Sequence, residues 1–511
     1  MNNYQKNKER IKRIKLEEVL KKRAKNRLEN WNNETNENKQ KERHPNLKKY
    51  ALCIGYVGTR YHGCQGQGKD CMTIENEIER TLIKMNAVKR NGMRKDFNFC
   101  LSRSARTDLG VHALYNVFVY NVDLSCVDGA ISNGAVSNGA VSNGAVSNGA
   151  VSNGAVSNGA ISNGAISNGE NHLDAIMEER RKKEAKFIQV LNLHFPNDIR
   201  CFDMFKVTKS FDARKFCSFR LYEYLFPVSV LSEVDVHEKY KGAFNEVVDM
   251  MDRFVKEKRS DGKVRGDQMQ NGEAEAVPRD KAENETVSRD KGEDETVSRD
   301  KVENETVLRE EAEEDIFTVK EEKGELTEEE LNTFFDIFKN YTGYHNFHCF
   351  TKNKIEQTTY RYIKYLDVST VKLFNYNFVS LKILGQSFLM HQIRKMITLS
   401  VETFRKATSM NSIYYCLNSK EYIPISLFPA DGLMLICPYF NSYNEKTCNP
   451  PQSPQIIFQE NEKILKFKED MIAKCVIQKM ENNVWKEWIL RMNKRPFVYH
   501  FLKDKIGKNC N

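Results

Sequence analysis

The spacing of apolar residues predicts that regular structure begins at Tyr50. Nearly every position from Tyr50 to Val57 is apolar, which is typical of a largely buried strand. Apolar residues then recur at helical spacing between Ile74 and Ile83, directly after Thr73, a favourable N-cap residue. The first patterned region therefore predicts a strand followed by a helix.

A second patterned region begins at Thr327. Thr327 and Glu330 have the spacing of a capping box, and apolar residues at helical spacing follow them. Residues 378–384 alternate as a strand, and the apolar residues between 389 and 404 fall on one side of a helix. A further helical pattern covers about 463–492.

Two low-complexity inserts interrupt these regions. Residues 129–169 repeat Ser-Asn-Gly-Ala-Val/Ile with a period of five, and residues 276–309 repeat a charged unit with a period of ten. Neither repeat can build a packed core, so both are predicted to be disordered. The resulting organisation has five segments: a basic disordered tail (1–49), an N-terminal half (50–242, with a disordered repeat insert at 128–170), a helical start followed by an acidic disordered repeat insert (243–327), a C-terminal half (328–445) and a helical C-terminal extension (446–511).

Once the inserts are set aside, strands and helices alternate in two halves. This arrangement predicts an α+β fold in which two related α/β halves share a central, mostly antiparallel sheet. A cleft between the two halves is the expected place for a catalytic site.

The charge distribution indicates a polyanionic partner. Of the net charge of +9, residues 1–50 contribute 16 Lys/Arg against 7 Asp/Glu, whereas residues 261–330 hold 11 against 25. The remaining, foldable chain is therefore basic, which suggests a polyanionic partner such as nucleic acid. An ordinary lysine-rich surface is the alternative, and charge alone does not decide between them. No apolar run is long enough to span a membrane. The thirteen cysteines lack metal-ligand spacing, so we expect reduced thiols and no metal site.

The segment from Ser104 to Ala113 is the strongest candidate for chemistry. Arg106 precedes Asp108 by two residues and Gly110 follows it by two, so a tight turn can direct both charged side chains toward one ligand. An aspartate can act as nucleophile or general base, and a nearby arginine keeps it ionised. A structural Arg–Asp pair that braces the loop is the alternative.

The run Arg106-Thr107-Asp108 resembles the signature of the TruA family of tRNA pseudouridine synthases. Further segments resemble that family in the expected order: 55–65, 73–75, 195–200, 211–214, 220–224, 345–351, 385–396 and 429–435. The Tyr-Glu-Tyr-Leu-x-Pro form at 222–227 looks most like the eukaryotic pseudouridine synthase 1 branch. Leu109 departs from the family's usual Lys, and Cys349 from the branch's usual Asn.

The resemblance implies a role for four residues. Asp108 is the expected catalytic residue, and Arg394 is expected to pair with it from the second half. Tyr222 is expected to stack on the target base, and Arg106 to hold the everted nucleotide or its phosphate. From the residues alone, Tyr222 could instead be a core aromatic and Arg394 a solvated helix residue.

The implied reaction is the isomerisation of uridine to pseudouridine in tRNA, with other RNAs as an alternative substrate. It needs no cofactor, because no group leaves and nothing is oxidised. Exposed cations should hold the RNA; the weaker candidates are Arg103, Lys215, Lys352, Lys354 and Lys395.

Other functions stay open at this point. The chain could be a non-catalytic RNA-binding protein, or a hydrolase that uses Asp108 and His112. We interpret His112 as structural or RNA-contacting, because no Ser or Cys nucleophile motif accompanies it.

The sequence also suggests a location for the protein but leaves its oligomeric state open. The basic cluster between Lys21 and Arg27 could be a nuclear import signal or a nucleic-acid-binding tail, and a solvated helix or disordered tail without such a function is the alternative. Together with the resemblance to the eukaryotic branch, the cluster makes the nucleus the expected location. A mitochondrion, another organelle and the cytoplasm are the alternatives.

Overall fold

The structure is a computed structural model, and it describes most of the two patterned regions. The described residues are 46–68, 71–88, 99–127, 168–260, 314–352, 358–447 and 454–506. The basic tail up to residue 45, residues 128–167 of the first insert, residues 261–313 of the second, and Lys354 lie outside them.

The described strands form one large sheet and one small one. They are β1 (Lys48–Tyr56), β2 (Ser102–Arg103), β3 (His112–Val122), β4 (Ile199–Lys206), β5 (Phe219–Pro227), β6 (Val234–Val236), β7 (Phe317–Val319), β8 (Gly343–Asn346), β9 (Tyr360–Leu373), β10 (Tyr376–Gly385) and β11 (Leu433–Tyr439).

Both halves of the chain contribute to the large sheet. In the described part of the chain its order is β4-β1-β3-β11-β5-β10-β9-β8, with β2 paired to β3. The pairing is mostly antiparallel, whereas β11 runs parallel to β3. One strand of the second half, β11, lies between β3 and β5 of the first half. Both halves therefore form one sheet, and the predicted shared sheet is confirmed.

A short strand lies where the sequence pattern indicated only the acidic insert. β7 pairs with β6 in a separate two-stranded sheet. Three residues are too few to show an alternating pattern, which is why the periodicity did not indicate this strand.

Two of the helices begin at the caps that the sequence predicted. They are α1 (Ile74–Lys84), α2 (Asn168–His194), α3 (Glu238–Ser260), α4 (Glu328–Lys339), α5 (Gln392–Phe404), α6 (Ser412–Asn418), α7 (Asn441–Thr447), α8 (Glu462–Phe467), α9 (Lys474–Glu481), α10 (Val484–Lys494) and α11 (Tyr499–Ile506). The Thr73 hydroxyl accepts a hydrogen bond from Asn76 N, and Thr327 and Glu330 form the predicted capping box. No helix among the described residues is both long and apolar enough to cross a membrane.

The C-terminal extension is part of the core of the protein. Phe458 packs against Tyr115 with ring centroids 4.7 Å apart, and Phe467 packs against Phe202 at 5.4 Å. Lys468, in the π-helical turn after α8, forms an ion pair of 2.5 Å with the carboxylate of Glu223 on β5. The extension therefore supplies both packing and a counter-charge to the central sheet.

We predict that Lys468→Met destabilises the protein by roughly 2 kcal/mol. The Glu223 side chain is 4% exposed, and its other partner among the described residues is the Ser380 hydroxyl at 2.8 Å, so the variant leaves a buried charge poorly compensated. The cost is smaller than for a fully buried pair because the Lys468 side chain is 31% exposed. Urea unfolding measures the change.

Lys474→Met is the matched control, since Lys474 pairs with Asp470 on the surface and should cost less than about 0.5 kcal/mol. Adding Glu223→Gln to Lys468→Met should recover most of the loss. Equal effects of Lys468→Met and Lys474→Met would contradict the stabilising role of the buried pair.

Candidate active site

Asn116 on β3 holds the start of the loop that carries Asp108. Its Oδ1 accepts hydrogen bonds from the Ser104 hydroxyl and from Ala105 N, and its Nδ2 donates to Ala105 O. The remaining Nδ2 proton goes to the Tyr56 hydroxyl at 3.0 Å. Asn116 is completely buried, so this amide fixes the backbone of the loop against the sheet.

Thr107 is the inward-facing residue of the Arg106-Thr107-Asp108 run. Its hydroxyl lies 2.8 Å from the Tyr56 hydroxyl, and its backbone contacts Cys64 through both N–H and C=O. Thr107 is 6% exposed, whereas Asp108 is half-buried and Arg106 is exposed. Anchoring Thr107 thus leaves the two charged side chains on either side of it accessible.

A tight turn follows Asp108. Val111 N donates to Asp108 O at 3.2 Å, and Gly110 has a φ of +83°, which favours glycine. A Cβ atom at Gly110 would also lie 3.3 Å from the Ala430 side chain. The predicted function of Gly110 as a turn residue is therefore matched by its geometry.

His112 connects this turn to two other segments. Its Nδ1 accepts a hydrogen bond from Gly58 N at 3.1 Å, so its Nε2 carries the proton and donates to Asp431 O at 2.9 Å. Burial lowers its pKa from 6.5 to about 4. Both nitrogens are bonded to backbone, and so His112 is structural and not the base of a hydrolytic dyad.

Residues 427–431, which precede β11, contact several elements around the site; we call them the 427–431 segment. Leu427 O accepts a hydrogen bond from Trp488 Nε1 of α10 at 2.9 Å. Phe428 O accepts one from Arg394 Nε of α5 at 2.6 Å.

The rest of the 427–431 segment contacts the sheet and the catalytic loop. Pro429 O accepts a hydrogen bond from the Tyr224 hydroxyl at 2.7 Å. Ala430 touches Gly110, and the Asp431 carboxylate pairs with Lys479 of α9 at 2.9 Å. One short segment thus connects the loop, β5, α5 and the C-terminal extension.

Asp108, Arg394 and Tyr222 share one electrostatic environment. The pKa of Arg394 is lowered by burial, while the charges of Tyr224 and Asp108 oppose that shift. The pKa of Tyr222 is raised above its ordinary range by burial, with Asp108 adding to the rise and Arg220 opposing it. Three of the four residues expected from the sequence therefore come together, although they belong to a loop, a strand and a helix.

Tyr222 and Arg394 are held by contacts that the sequence pattern did not reveal. The Tyr222 ring packs edge-on against Phe388, with centroids 5.2 Å apart, just before α5. Arg394 is partly buried and bonded to Phe428 O, so it is not a solvated helix residue. Phe388 and residues 429–431 lie in segments that carry the family resemblance, but the sequence indicated no specific contact for either.

Arg106 lies in a cluster of positive charge. Its pKa is lowered by loss of solvation and then by the neighbouring charges of Arg214 and Arg103. Arg103 is neutralised by a 2.6 Å ion pair with Glu75, whereas no described acid forms an ion pair with Arg106 or Arg214. This pair of exposed guanidinium groups is suited to an anion.

Arg220 braces the entrance of the site from β5. Its guanidinium donates two hydrogen bonds to Ser104 O, at 3.0 and 2.7 Å, and one to Gln386 O at 2.8 Å. It thereby connects the start of the catalytic loop to the segment between β10 and α5. Arg220 belongs to one of the motifs that carry the family resemblance, but the sequence indicated no function for it.

The weaker RNA-contact candidates divide into two groups. Two of them already bind other groups of the protein. Arg103 forms an ion pair with Glu75, and Lys395 is 6% exposed and donates a hydrogen bond to Thr351 O. Lys215 and Lys352 are exposed. Of the two departures from the family pattern, Leu109 is 56% exposed and Cys349 is buried beside His348.

Within the described ranges, no group of three or more His, Cys, Asp or Glu side chains is arranged to hold a metal ion. The cysteines of those ranges are free thiols.

Comparison with known proteins identifies similar sequences. A family model described as tRNA pseudouridine synthase matches residues 337–441, which include Arg394 and the 427–431 segment. The tRNA pseudouridine synthase 1 of Candida glabrata is 27% identical over 458 residues, covering 87% of this chain and 70% of the relative.

Two further relatives agree with that match. The tRNA pseudouridine synthase 1 of Yarrowia lipolytica is 28% identical over 421 residues, covering 78% of this chain and 65% of the relative. The tRNA pseudouridine(27/28) synthase of Saccharomyces cerevisiae is 24% identical over 461 residues, covering 87% of this chain and 98% of the relative. The chain spans about two thirds of the length of the Candida glabrata and Yarrowia lipolytica relatives.

We predict that His112 makes the protein less stable as the pH falls from 7 to 5. Its pKa is about 4 in the folded protein and 6.5 when the side chain is fully solvated, so the unfolded chain takes up a proton that the folded protein does not. This uptake should lower the free energy of unfolding by about 2 kcal/mol. Urea unfolding of wild type and His112→Gln at both pH values measures it.

Between the two pH values, the free energy of unfolding of His112→Gln should change by about 2 kcal/mol less than that of wild type. His194→Gln, at the exposed end of α2, is the control for the substitution itself. The same pH dependence in wild type and His112→Gln would refute the role of His112.

Proposed function

Because the chain belongs to the TruA family of tRNA pseudouridine synthases, we propose that it isomerises uridines in tRNA to pseudouridine, with Asp108 as the catalytic residue. The observation that carries the proposal is the shared environment of Asp108, Arg394 and Tyr222. Arg106, two residues before Asp108, and Arg214, whose charge is coupled to that of Arg106, provide exposed guanidinium groups.

The reaction breaks the bond between uracil N1 and ribose C1′, turns the base, and joins C5 to C1′. The proton lost from C5 is balanced by the one gained at N1, so the substrate and the product are isomers. The uracil must leave its stack before either atom can be reached. The protein therefore needs a carboxylate, a surface that stacks on the everted base and groups that bind the RNA backbone.

Asp108 is the carboxylate that starts the reaction. The tight turn at Gly110 and the anchoring of Thr107 hold it in the loop just before β3. The nearby positive charge of Arg394 favours its ionised form, which is the form that a nucleophile or general base requires. Phe428 O in turn fixes the orientation of the Arg394 guanidinium.

Tyr222 provides the surface for the base. Its ring is held edge-on by Phe388, which favours one orientation for stacking. Burial keeps its hydroxyl neutral at physiological pH, so it can donate a hydrogen bond to an everted uracil or accept one from it.

Arg106 and Arg214 hold the backbone of the substrate. A guanidinium group binds a phosphate through two parallel hydrogen bonds, and these two groups form no ion pair with a described acid. Arg106 lies two residues before Asp108, and its charge is coupled to that of Arg214, which supports a contact near the target nucleotide.

We predict that Asp108→Asn reduces pseudouridine formation by at least about 10²–10⁴-fold, because the amide can neither attack nor remove a proton. The protein is incubated with an unmodified tRNA transcript, and pseudouridine is quantified by mass spectrometry of the digested RNA. Binding of the transcript should persist, since the positive groups are unchanged.

Asp249→Asn, on the exposed side of α3, is the matched control and should retain activity. Activity that survives Asp108→Asn would refute the catalytic assignment. A wild-type protein that binds tRNA but forms pseudouridine in no transcript would instead support a non-catalytic RNA-binding function.

We also propose a nuclear location, supported by the basic cluster at Lys21–Arg27. Residues 1–49 fused to a fluorescent reporter should accumulate in the nucleus, and replacing the cluster's five Lys and Arg residues with Ala should abolish the accumulation. A diffuse signal from the unmodified fusion would remove the import function, and an organellar signal would favour the alternative location.

A further inference from the structure

Four tyrosines with large exposed fractions lie close together on β8 and β9. Tyr344 is 68% exposed, Tyr360 48%, Tyr362 39% and Tyr365 50%. Aromatic rings scattered singly over a surface need no explanation, but a group of this size marks a surface that binds something.

The strand register places these tyrosines on one face of the sheet. Tyr344 pairs directly with Tyr362, and the rings of Tyr344 and Tyr360 stack with centroids 5.4 Å apart. Cross-strand partners point to the same side of a sheet, as do residues two apart in one strand. A bulge in β9, where the register with β10 shifts, returns Tyr365 to this side. We call the surface formed by Tyr344, Tyr360, Tyr362 and Tyr365 the tyrosine face.

The tyrosine face continues toward β5. Tyr365 pairs with Leu384, which pairs with Leu221, two residues beyond Phe219. The Lys364 Nζ lies 5.1 Å from the centre of the Phe219 ring. Phe219 and Tyr222 are three residues apart on β5, so the tyrosine face and the ring of Tyr222 are on opposite sides of that strand.

The charge around these rings is positive. β8, β9 and β10 together carry four Lys or Arg residues and one acid, Asp367, which is paired in register with Lys382. Arg361 is half-buried and donates to the carbonyls of Thr358 and Tyr360; because it alternates with Tyr360 and Tyr362 in β9, it belongs to the other side of the sheet. Asp367 is therefore the one acid of these three strands that a polyanion would meet, and it lies opposite a lysine.

We propose that the tyrosine face binds unpaired nucleotides of the RNA substrate, away from the nucleotide that reacts. Exposed aromatic rings interleaved with cations are how proteins hold single-stranded RNA, by stacking on the bases and neutralising the phosphates. A second copy of this chain would be a poorer occupant, because its net charge is +9 and its own tyrosine face is equally positive. The nature of the RNA rests on the proposed function.

The connection to the active site runs through β5. Arg220, the neighbour of Phe219, donates to Ser104 O at the start of the catalytic loop. Arg220 at the start of β5 pairs with Gly385 at the end of β10, so an RNA that passes around these strand ends can contact the tyrosine face on one side of the sheet and the Asp108 loop on the other. The tyrosine face therefore contributes affinity and not chemistry.

The test is the double variant Tyr344→Ala/Tyr360→Ala, compared with wild type by fluorescence anisotropy. The probes are a single-stranded oligouridylate of about twelve nucleotides, a blunt RNA duplex and an unmodified tRNA transcript. We expect binding of the oligouridylate to weaken at least about fivefold, as expected for the loss of base stacking. For tRNA, KM should rise while kcat at saturation stays unchanged, and duplex binding should not change.

Tyr344→Phe/Tyr360→Phe keeps the rings and should bind as wild type does. Tyr376→Ala removes a 40% exposed tyrosine from the other end of the β9–β10 hairpin and is the matched control. Wild-type oligouridylate affinity in the double alanine variant, or an equal loss in Tyr376→Ala, would overturn the inference. So would a change from dimer to monomer in sedimentation velocity, which would assign the surface to a second copy.

The binding measurement separates this inference from the proposed function. In one outcome, wild type forms no pseudouridine in any transcript while the double alanine variant still loses oligouridylate affinity. That result would support RNA binding by the tyrosine face and contradict the proposed enzymatic function. If Asp108→Asn is inactive while the double alanine variant binds oligouridylate normally, the enzymatic function is supported and RNA binding by the tyrosine face is contradicted.

Discussion

The geometry of the site depends on the backbone carbonyls of the 427–431 segment. Four of its five carbonyl groups accept hydrogen bonds from side chains that come from α10, α5, β5 and β3. Buried carbonyl groups need donors, so each of these contacts both satisfies the segment and fixes the donor. The relative positions of Arg394 and the Asp108 loop are set in this way, without any direct contact between α5 and β3 being required.

The same constraint explains the residues around Asp108. His112 must stay neutral to accept a hydrogen bond from Gly58 N while it donates to Asp431 O, and burial ensures that it does. Asn116 uses all of its bonding capacity on the backbone of the loop and on Tyr56. The loop is therefore rigid before any ligand arrives, as a site that acts through positioned charge requires.

Local sequence patterns were enough to predict part of the fold. The N-cap at Thr73, the capping box at Thr327 and the shared sheet follow from apolar spacing and short-range chemistry, and the structure confirms them. The proximity of Asp108, Tyr222 and Arg394 came from resemblance, because residues so far apart in sequence leave no periodic signal of their contact.

What the sequence did not reveal are the long-range partners. Nothing local distinguishes Arg103 and Lys395 from the surface cations with which they were grouped, yet Glu75 and the carbonyl of Thr351 occupy them. The partners of Arg220 and the acceptors of the 427–431 segment are backbone atoms, which every residue has, so residue type cannot identify them. The exposure of the four tyrosines could not be predicted for a similar reason. The sequence of β9 does not show which of its two faces is packed against other elements.

The position of β11 between β3 and β5 has a consequence for biosynthesis. Strands β3 and β5 emerge from the ribosome roughly two hundred residues or more before β11, and Trp488 follows later still. The closure entropy of intervening loops grows only slowly with their length, so the long inserts cost little once the sheet is complete. Until then the early strands have unpaired edges, which makes the nascent chain dependent on protection from aggregation.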